Sequence, residues 1–155
     1  MHYLNPKPCG EAVVIEDRRV LLMRRARDPW RGAWDVPGGF CEGDEHPMHA
    51  AERELAEELG IAAEAVAYVG TWIDAYGPPA PDGVQLHTVN SSYLMRLREP
   101  LGALQLQADE VTEAGWFGLE ELPEPLGFPG HMEMMLRAAA KLDGRPSGPL
   151  PDRTW

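Results

Sequence analysis

The segment from Gly38 to Ile61 constrains the fold of this chain more than any other stretch. It reads GGFCEGDEHPMHAAERELAEELGI, a pair of glycines followed by a polar loop and a helix-forming run. Pro47 suits the first turn of a helix, and Gly60 suits the residue just past its end. The sequence therefore predicts a glycine turn, a loop and a helix between Pro47 and Gly60.

The predicted helix keeps its charges apart from its apolar residues. At 100° per residue, Glu57 and Glu58 both lie within about 60° of Glu54. Ala50 falls on the same acidic side, where its small side chain leaves room for something bound. The core-facing positions form a neighbouring stripe of Met48, Ala51, Leu55 and Leu59. We therefore expect a helix that packs on a sheet and presents its carboxylates beside the contact.

The acidic side of this helix has two interpretations. Like charges four residues apart, such as Glu54 and Glu58, cost an isolated helix only about 0.2–0.5 kcal/mol, so a solvated face is tolerable. Clustered carboxylates are also the ligands that Mg²⁺ and Mn²⁺ prefer. A Gly38-Gly39 turn can bring a backbone carbonyl to the same ion, because glycine allows close approach of the main chain. The helix alone indicates either a solvated face or half of a metal site.

The remaining segments alternate between strand-like and helix-like patterns. The predicted strands are Ala12–Glu16, Val20–Arg25, Trp34–Val36, Ala65–Tyr76, Leu86–Arg98 and Ala114–Leu119. A helical turn is predicted over Glu120–Pro123 and an amphipathic helix over residues 130–142. The Gly77–Gln85 loop is too rich in proline and glycine for regular structure. Together these elements predict an α/β domain with a mixed sheet.

Length and composition fit one globular domain. The chain has 155 residues, of which 44% are hydrophobic, so it can bury a single core. We place the domain at residues 1–143 and a flexible, Pro- and Gly-rich tail at residues 144–155. No apolar run is long enough to span a membrane and the N-terminal residues lack a signal segment, so a cytoplasmic location is expected.

Charge and metal-ligand spacing exclude several classes of protein. The formal net charge is −11, which disfavours binding of nucleic-acid duplexes, because phosphate contacts need lysine and arginine. Cys9 and Cys41 lack zinc-site spacing and are expected to be free thiols. Four histidines also lack such spacing and are expected to be structural or surface groups: His46, His49, His87 and His131.

At this point the residues resemble a known family. The signature of the Nudix hydrolases is Gly, five residues, Glu, seven residues, then Arg-Glu-aliphatic-x-Glu-Glu-x-Gly-aliphatic. Here Gly39 is followed by Glu45 and then by the run RELAEELGI from Arg53 to Ile61, so every fixed position matches at the right spacing. Flanking segments look like the lead-in and late strands of the family. The resemblance implies a Nudix-like α/β/α sandwich with a central mixed β-sheet.

The resemblance also assigns roles within this signature. It implies that the divalent-metal ligands are Glu54, Glu57 and Glu58, with the Gly38 carbonyl as a further candidate. Arg53 would orient a carboxylate, and Glu45 would hold Arg53 in place. Gly39 and Gly60 would be required for the conformation of the backbone. The general base is either Glu57 or Glu110, since members of the family often place an acidic residue on a loop outside the signature.

Substrate contacts are expected from residues near the signature. Arg25 and Arg31, with neighbouring Arg24 and Arg27, are candidates to contact phosphates. Tyr76 is a candidate to stack on a nucleobase, as are several of the other aromatic residues. Tyr76 lies sixteen residues after Gly60, and the prolines after it follow neither of the downstream spacings that distinguish substrate classes in the family.

The resemblance implies hydrolysis of a pyrophosphate bond in a nucleoside diphosphate linked to another moiety, with Mg²⁺ or Mn²⁺ as cofactor. ADP-ribose or a related nucleotide sugar is favoured, and a nucleoside triphosphate, including an oxidised one, is the rival. A non-catalytic nucleotide-binding module of the same fold is a further alternative. The expected partner is a small nucleotide, without a membrane or a nucleic-acid duplex, and a homodimer is compatible with the family.

Overall fold

The computed structural model describes residues 4–145 and residue 150. The strands are β1 (Lys7–Val13), β2 (Ile15–Glu16), β3 (Arg19–Arg25), β4 (Trp34–Asp35), β5 (Gly38–Phe40), β6 (Ala63–Ala75), β7 (His87–Leu97) and β8 (Val111–Gly118). The helices are α1 (Pro47–Leu59) and α2 (Met132–Leu142). Helix α1 follows β5, and α2 follows β8.

The strands form two sheets. The mixed sheet has the order β5-β1-β7-β6, in which β1 and β7 run parallel and the outer pairs run antiparallel. In the second sheet β3 pairs antiparallel with β2, β4 and β8. The predicted mixed sheet is therefore present, and an antiparallel sheet accompanies it.

The two helices pack on opposite faces of the sheets, because successive strand residues point to opposite sides. On β1, Ala12 belongs to the core cluster that contains the apolar stripe of α1, whereas Val13 belongs to the cluster that contains α2. Leu21 and Leu22 on β3 alternate in the same way. The result is the predicted α/β class with one helix on either side of the strands.

Three local predictions differ from the structure. The first strand begins at Lys7 rather than Ala12, because β1 gains its partners from β5 and β7, far along the chain. The predicted Gly38-Gly39 turn is instead strand β5, paired with β1. The Glu120–Pro123 segment forms a turn, in which the Glu121 N–H donates to the Gly118 carbonyl at 3.0 Å, rather than a helical turn.

Two further expectations concern membrane-spanning helices and the C-terminal tail. Neither described helix is long and apolar enough to cross a membrane. Of the predicted tail, the structure describes only residues 144, 145 and 150, and Leu150 packs against the core cluster of α1. The rest of the tail lies outside the described residues.

Helix α1 rests on β1 at a glycine. A Cβ atom added to Gly10 would lie 2.0 Å from the Pro47 carbonyl oxygen and 2.7 Å from the Ala51 amide nitrogen. Both neighbours are backbone atoms of α1, which cannot rotate away as a side chain can. Glycine at this position therefore sets how closely the carboxylate-bearing helix approaches the sheet.

We predict that Gly10→Ala lowers the free energy of unfolding by about 1–3 kcal/mol or more, because the added methyl group overpacks the α1–β1 contact. Gly102→Ala is the matched control, since a Cβ there meets nothing within 4 Å. Urea unfolding of both variants measures the difference. Equal stability of the two variants would contradict the close approach of α1 to β1.

Candidate active site

Helix α1 begins and ends where the sequence predicts. The ring nitrogen of His46 accepts a hydrogen bond from the Met48 amide at 3.1 Å and caps the first turn. Gly60 follows the last helical residue with φ of 70°, and its N–H donates to the Ala56 carbonyl at 2.9 Å. These caps fix the helix on which the three carboxylates are carried.

The acidic side of α1 forms one wall of a cavity of about 490 Å³. Glu54, Glu57 and Glu58 all line this cavity, together with Gly38 and Gly39 of β5. The predicted metal ligands are thus brought to the wall of a single space. Their apolar neighbours on the helix lie in the core, so the acidic side and the core stripe are separate, as the helical angles indicate.

Arg53 connects the carboxylates to the loop that precedes α1. Its guanidinium donates to both carboxylate oxygens of Glu45 at 2.9 Å and to the Phe40 carbonyl at 3.0 Å. It also donates to Glu54 at 2.9 Å and to Glu57 at 3.2 Å. Hydrogen bonding to Glu45 raises the pKa of Arg53 and lowers the pKa of Glu45. Glu45 lies against Arg53, outside the cavity lining.

Gly39 leaves the space that the Glu54 carboxylate occupies. A Cβ atom on Gly39 would lie 2.4 Å from a Glu54 carboxylate oxygen, which is closer than any stable contact. Gly38 holds the next carboxylate, because its N–H donates to Glu58 at 3.0 Å. The two glycines of β5 therefore accommodate one carboxylate and orient another.

Burial makes the acidic wall unfavourable for negative charge. Glu58 is only 5% exposed, and burial together with the charge of Glu54 raises its pKa to about 9. Burial also raises the pKa of Glu54, against the lowering effect of Arg53. A cation beside these oxygens would relieve the cost, since an opposite charge favours the ionised form.

The donor set fits a hard divalent cation that keeps several waters and shares substrate phosphates. Within residues 4–145 and 150, no three acidic, histidine or cysteine side chains are arranged so that they could hold a metal ion as they stand. Glu54 bonds to Arg53 and Glu58 bonds to the Gly38 amide. Mg²⁺ is commonly bound by one or two carboxylates together with waters and substrate phosphates, so it does not require an all-protein cage.

The predicted phosphate-binding arginines separate into two groups. Arg25 lines the cavity and pairs with buried Asp35 at 2.9 Å. Arg31 is exposed, lies 3.9 Å from Asp28 and does not line the cavity, so the structure does not bring it to the site. Arg27 lies there instead and pairs with Glu110 at 2.8 Å.

Glu110 is held at the cavity by its backbone. Its carbonyl accepts a hydrogen bond from the Ala26 N–H at 2.9 Å, directly after β3. The preceding loop closes the end of α1, because the Gln107 N–H donates to the Glu58 carbonyl at 3.0 Å. Both candidate bases, Glu57 and Glu110, therefore face the same cavity.

Aromatic rings line the side of the cavity away from α1. Tyr76 stacks on Phe128 with ring centroids 6.2 Å apart and an interplanar angle of 22°. Phe40 lies 5.3 Å from Tyr76, and all three rings line the cavity. The Arg25 guanidinium lies 5.2 Å from the Phe128 centroid. The predicted stacking residue Tyr76 is thus part of a group of three rings.

Sequence reasoning missed a buried charge cluster beside the cavity. His131, at the N-terminus of α2, contacts Asp74 through Nδ1 and lies 3.0 Å from Glu11 through Nε2. Ser92 donates a hydrogen bond to the same Glu11. Burial lowers the pKa of His131, but its hydrogen bonds and the charges of Glu11 and Asp74 outweigh burial and raise it. The sequence offers a structural or a surface role for His131, and the structure buries it between two carboxylates that no sequence pattern indicates.

A further buried carboxyl, Asp35 on β4, lines the cavity. Burial raises its pKa to about 6, although Arg25 favours the ionised form. One Asp35 oxygen also accepts a hydrogen bond from the Val36 amide at 2.8 Å. The sequence gives no signal that Asp35 is buried at the cavity, because a single aspartate in a segment rich in proline and glycine is common.

Comparisons with known proteins decide the family. The chain matches the NUDIX domain over residues 10–138. The protein belongs to the Nudix family. It is 28% identical to an ADP-ribose pyrophosphatase of Methanocaldococcus jannaschii over 79% of this chain and 68% of that protein. It is 34% identical to Nudix hydrolase 25 of Arabidopsis thaliana over 74% of this chain and 73% of that protein.

Solved structures agree on the fold. The chain superposes on a MutT Nudix hydrolase from Burkholderia pseudomallei with a TM-score of 0.71 and 30% identity, covering 86% of this chain and 98% of that one. The predicted Nudix-like fold and the assignment to the Nudix hydrolases are confirmed. Divalent metals are general cofactors of this family.

We predict that the His131 ring titrates above its usual pKa of 6.5, because Glu11 and Asp74 hold it as a cation. The stability that this cation contributes is fully present below about pH 6.5 and is lost as the pH rises through the folded-state pKa. An NMR titration of the His131 ring protons measures the shift. A midpoint at or below 6.5 would contradict it.

Removing the cation leaves the buried carboxylate of Glu11 and the partly buried carboxylate of Asp74 without it. His131→Gln should therefore cost about 3–5 kcal/mol of unfolding free energy at pH 6, as breaking a buried ion pair does. Urea unfolding at that pH provides the measurement. A cost below about 1 kcal/mol would show that the cluster is not charged in the folded protein.

Proposed function

We propose that this protein hydrolyses the pyrophosphate bond of a nucleoside diphosphate linked to another moiety, with Mg²⁺ or Mn²⁺ as cofactor. The observation that carries the proposal is the shared cavity, which is lined by Glu54, Glu57 and Glu58 on one side and by Arg25 and Arg27 on another. Acidic ligands for a cation and basic groups for phosphates are the two requirements of metal-assisted phosphoryl transfer.

The metal would be held by Glu54, Glu57 and Glu58, with the Gly38 carbonyl as a further ligand. When bound, it supplies neutralisation of phosphate charge and a lower pKa for the attacking water. Arg53 keeps Glu54 and Glu57 oriented, and the Gly38 N–H does the same for Glu58. Positioning of this kind supplies most of the catalysis in phosphoryl transfer.

We assign the general base to Glu110 rather than Glu57. Both carboxylates pair with an arginine, Glu57 with Arg53 at 3.2 Å and Glu110 with Arg27 at 2.8 Å, but only Glu57 belongs to the proposed group of metal ligands. Glu110 lines the cavity from the segment just before β8, outside α1, and its carbonyl accepts a hydrogen bond from the Ala26 N–H. A base must lie within hydrogen-bond reach of the water that it deprotonates. A carboxylate outside the group of metal ligands can accept this proton while all of the proposed ligands stay on the metal.

ADP-ribose or a related nucleotide sugar is the substrate that we favour. The identity with the ADP-ribose pyrophosphatase of M. jannaschii supports this choice. The similarity in fold to a MutT Nudix hydrolase keeps nucleoside triphosphates, including oxidised ones, as the second candidate. Hydrolysis assays with ADP-ribose, NADH, dinucleoside polyphosphates and nucleoside triphosphates separate these classes. The highest kcat/KM on a triphosphate would reject the nucleotide-sugar assignment.

We predict that Glu54→Gln and Glu58→Gln each lower metal-dependent hydrolysis by about 100-fold or more, because each removes a charged ligand of the cation. The fold should persist, since Gln keeps the shape of the side chain. Release of phosphate or nucleoside monophosphate in the presence of Mg²⁺ is measured, and Tm is recorded with and without the metal. The rise in Tm with Mg²⁺ should shrink in both variants.

Glu64→Gln is the matched control, because Glu64 lies on β6 and its side chain pairs with Arg96 away from the cavity. It should retain wild-type turnover. Full turnover of Glu54→Gln or Glu58→Gln would refute the metal assignment. A folded wild-type protein that binds nucleotides but hydrolyses none of the panel would instead identify a nucleotide-binding module.

We predict that Glu110→Gln lowers kcat by about 100-fold or more and leaves the Mg²⁺-dependent rise in Tm unchanged, because it removes a proton acceptor and no metal ligand. Glu57→Gln should reduce both quantities. Paired measurements of kcat and Tm on the two variants distinguish the roles. Normal kcat in Glu110→Gln, with kcat alone reduced in Glu57→Gln, would transfer the base to Glu57.

A further inference from the structure

Strand β7 carries a row of polar side chains through the interior. Thr88, Asn90 and Ser92 alternate along the strand, so they share one face of the mixed sheet. In the register with β1, Asn90 is paired with Cys9 and Ser92 with Glu11. Because Val13 of β1 lies on the α2 side, this polar row also lies on the α2 side, opposite α1.

Two atoms of this row have no hydrogen-bond partner within the protein. Among the described residues, the buried side-chain nitrogens and oxygens without a partner are Thr88 Oγ1 and Asn90 Nδ2. Thr88 is 0% exposed and Asn90 is 5% exposed, yet both line the cavity that contains the acidic wall. Ser92, the third member of the row, is satisfied by Glu11.

A buried polar group without a partner is costly, and native proteins rarely retain one without a function. Two such groups at positions i and i+2 of one strand, both at the wall of the same cavity, indicate that something in the cavity completes their hydrogen bonds. The Thr88 hydroxyl can donate and accept, and the Asn90 amide donates through Nδ2. The missing partner therefore presents hydrogen-bond acceptors along an edge.

The surroundings limit what this partner can be. Glu11 and Asp35 are buried carboxyls that line the same cavity, so a second anionic group would be repelled there. Tyr76 and Phe128 supply stacked rings at the same wall, which favour a flat aromatic group. A neutral, planar ring with acceptors on its edge meets both conditions.

The distance to the acidic wall fits a nucleotide. Asn90 lies on β7, which is separated from Gly38 on β5 only by β1. Neighbouring strands lie about 4.8 Å apart, so β5 and β7 are separated by about 10 Å. A ribose joins a base to its phosphate across a span of this size. A phosphate beside Gly38 and a base beside Asn90 can therefore belong to one molecule.

We propose that Thr88 and Asn90 form the nucleobase-recognition subsite of this protein, with Thr88 Oγ1 and Asn90 Nδ2 bonding to the polar edge of the base. The subsite lies within one protomer, on the α2 side of the mixed sheet. The proposal rests on the nucleotide substrate proposed above and specifies which residues distinguish one base from another. It assigns base selection to β7, outside the signature segment that carries the metal ligands.

The test compares ligands that differ only in the base. AMP, GMP, CMP and UMP are titrated into the full-length protein by calorimetry in the presence of Mg²⁺, with ribose 5-phosphate as the base-free probe. At least one nucleoside monophosphate should bind about tenfold or more tightly than ribose 5-phosphate. Equal affinity of all five ligands would overturn the subsite.

Variants locate the effect. Thr88→Val and Asn90→Leu keep the approximate volume and remove the unpartnered polar atoms. Each should weaken binding of the preferred monophosphate by about fivefold or more and leave ribose 5-phosphate within about twofold of wild type. Ser91→Ala is the control, because Ser91 directly follows Asn90, points to the opposite face of the sheet and bonds to Thr71 at 3.0 Å. Unchanged monophosphate binding in both β7 variants would reject the proposal.

Thermal unfolding adds a readout that a purely structural role would not give. Replacing a buried polar group that has no partner by an apolar group should leave Tm of the ligand-free protein unchanged or raise it. A fall in Tm in both variants would show that these side chains serve the fold and would count against the subsite.

The failure of this inference is distinguishable from failure of the proposed hydrolysis. Base-dependent binding that Thr88→Val and Asn90→Leu abolish, in a protein that hydrolyses nothing, would support the subsite and reject the enzyme proposal. Hydrolysis whose kcat/KM is the same for every base and unaffected by the two variants would retain the enzyme proposal and reject the subsite.

Discussion

The guanidinium of Arg53 is the interaction on which the geometry of the site depends. It bonds to Glu45 and the Phe40 carbonyl on the loop side and to Glu54 and Glu57 on the helix side. A single flat group with several donors in fixed directions can satisfy this many acceptors, which an ammonium could not. The loop, strand β5 and helix α1 are therefore held in one arrangement before any ligand is bound.

Two neighbouring acidic clusters balance their charge in different ways. Glu11 and Asp74 are separated by His131, whose pKa they raise, so that cluster contains its own cation. Glu54 shares Arg53 with Glu45 and Glu57, Glu58 bonds to the Gly38 amide, and burial raises the pKa of both Glu54 and Glu58. The first cluster contains its own cation, whereas burial still disfavours the charge of the second. This difference is a physical reason, independent of sequence similarity, for proposing a cation at the second cluster.

The sequence predicts the parts of this site that are local. The two ends of helix α1, marked by Pro47 and Gly60, and the sides to which Glu54 and Leu55 point follow from spacing along one helix, and the structure agrees. The parallel pairing of β1 with β7 was not predictable, because it joins segments far apart in the chain. Glu11 and His131 are separated by 120 residues and likewise meet only in the folded chain. Of the candidate arginines after β3, Arg27 lines the cavity and Arg31 does not, and this difference depends on how the loop after β3 folds.

The polar row of β7 shows where sequence reading can be extended. Thr88, Asn90 and Ser92 interrupt a strand that also carries Tyr93 and Leu94 in the core, and their period of two places them on one face. A buried strand tolerates such a row only if partners exist; among the described residues Ser92 bonds to Glu11, whereas Thr88 Oγ1 and Asn90 Nδ2 have no partner. The carboxylates proposed as metal ligands on α1 would act on any pyrophosphate, so selection among substrates requires contacts elsewhere in the cavity. Unpaired polar atoms in the cavity are suited to this selection. A correct ligand forms hydrogen bonds with them, whereas an incorrect ligand leaves them buried and unsatisfied.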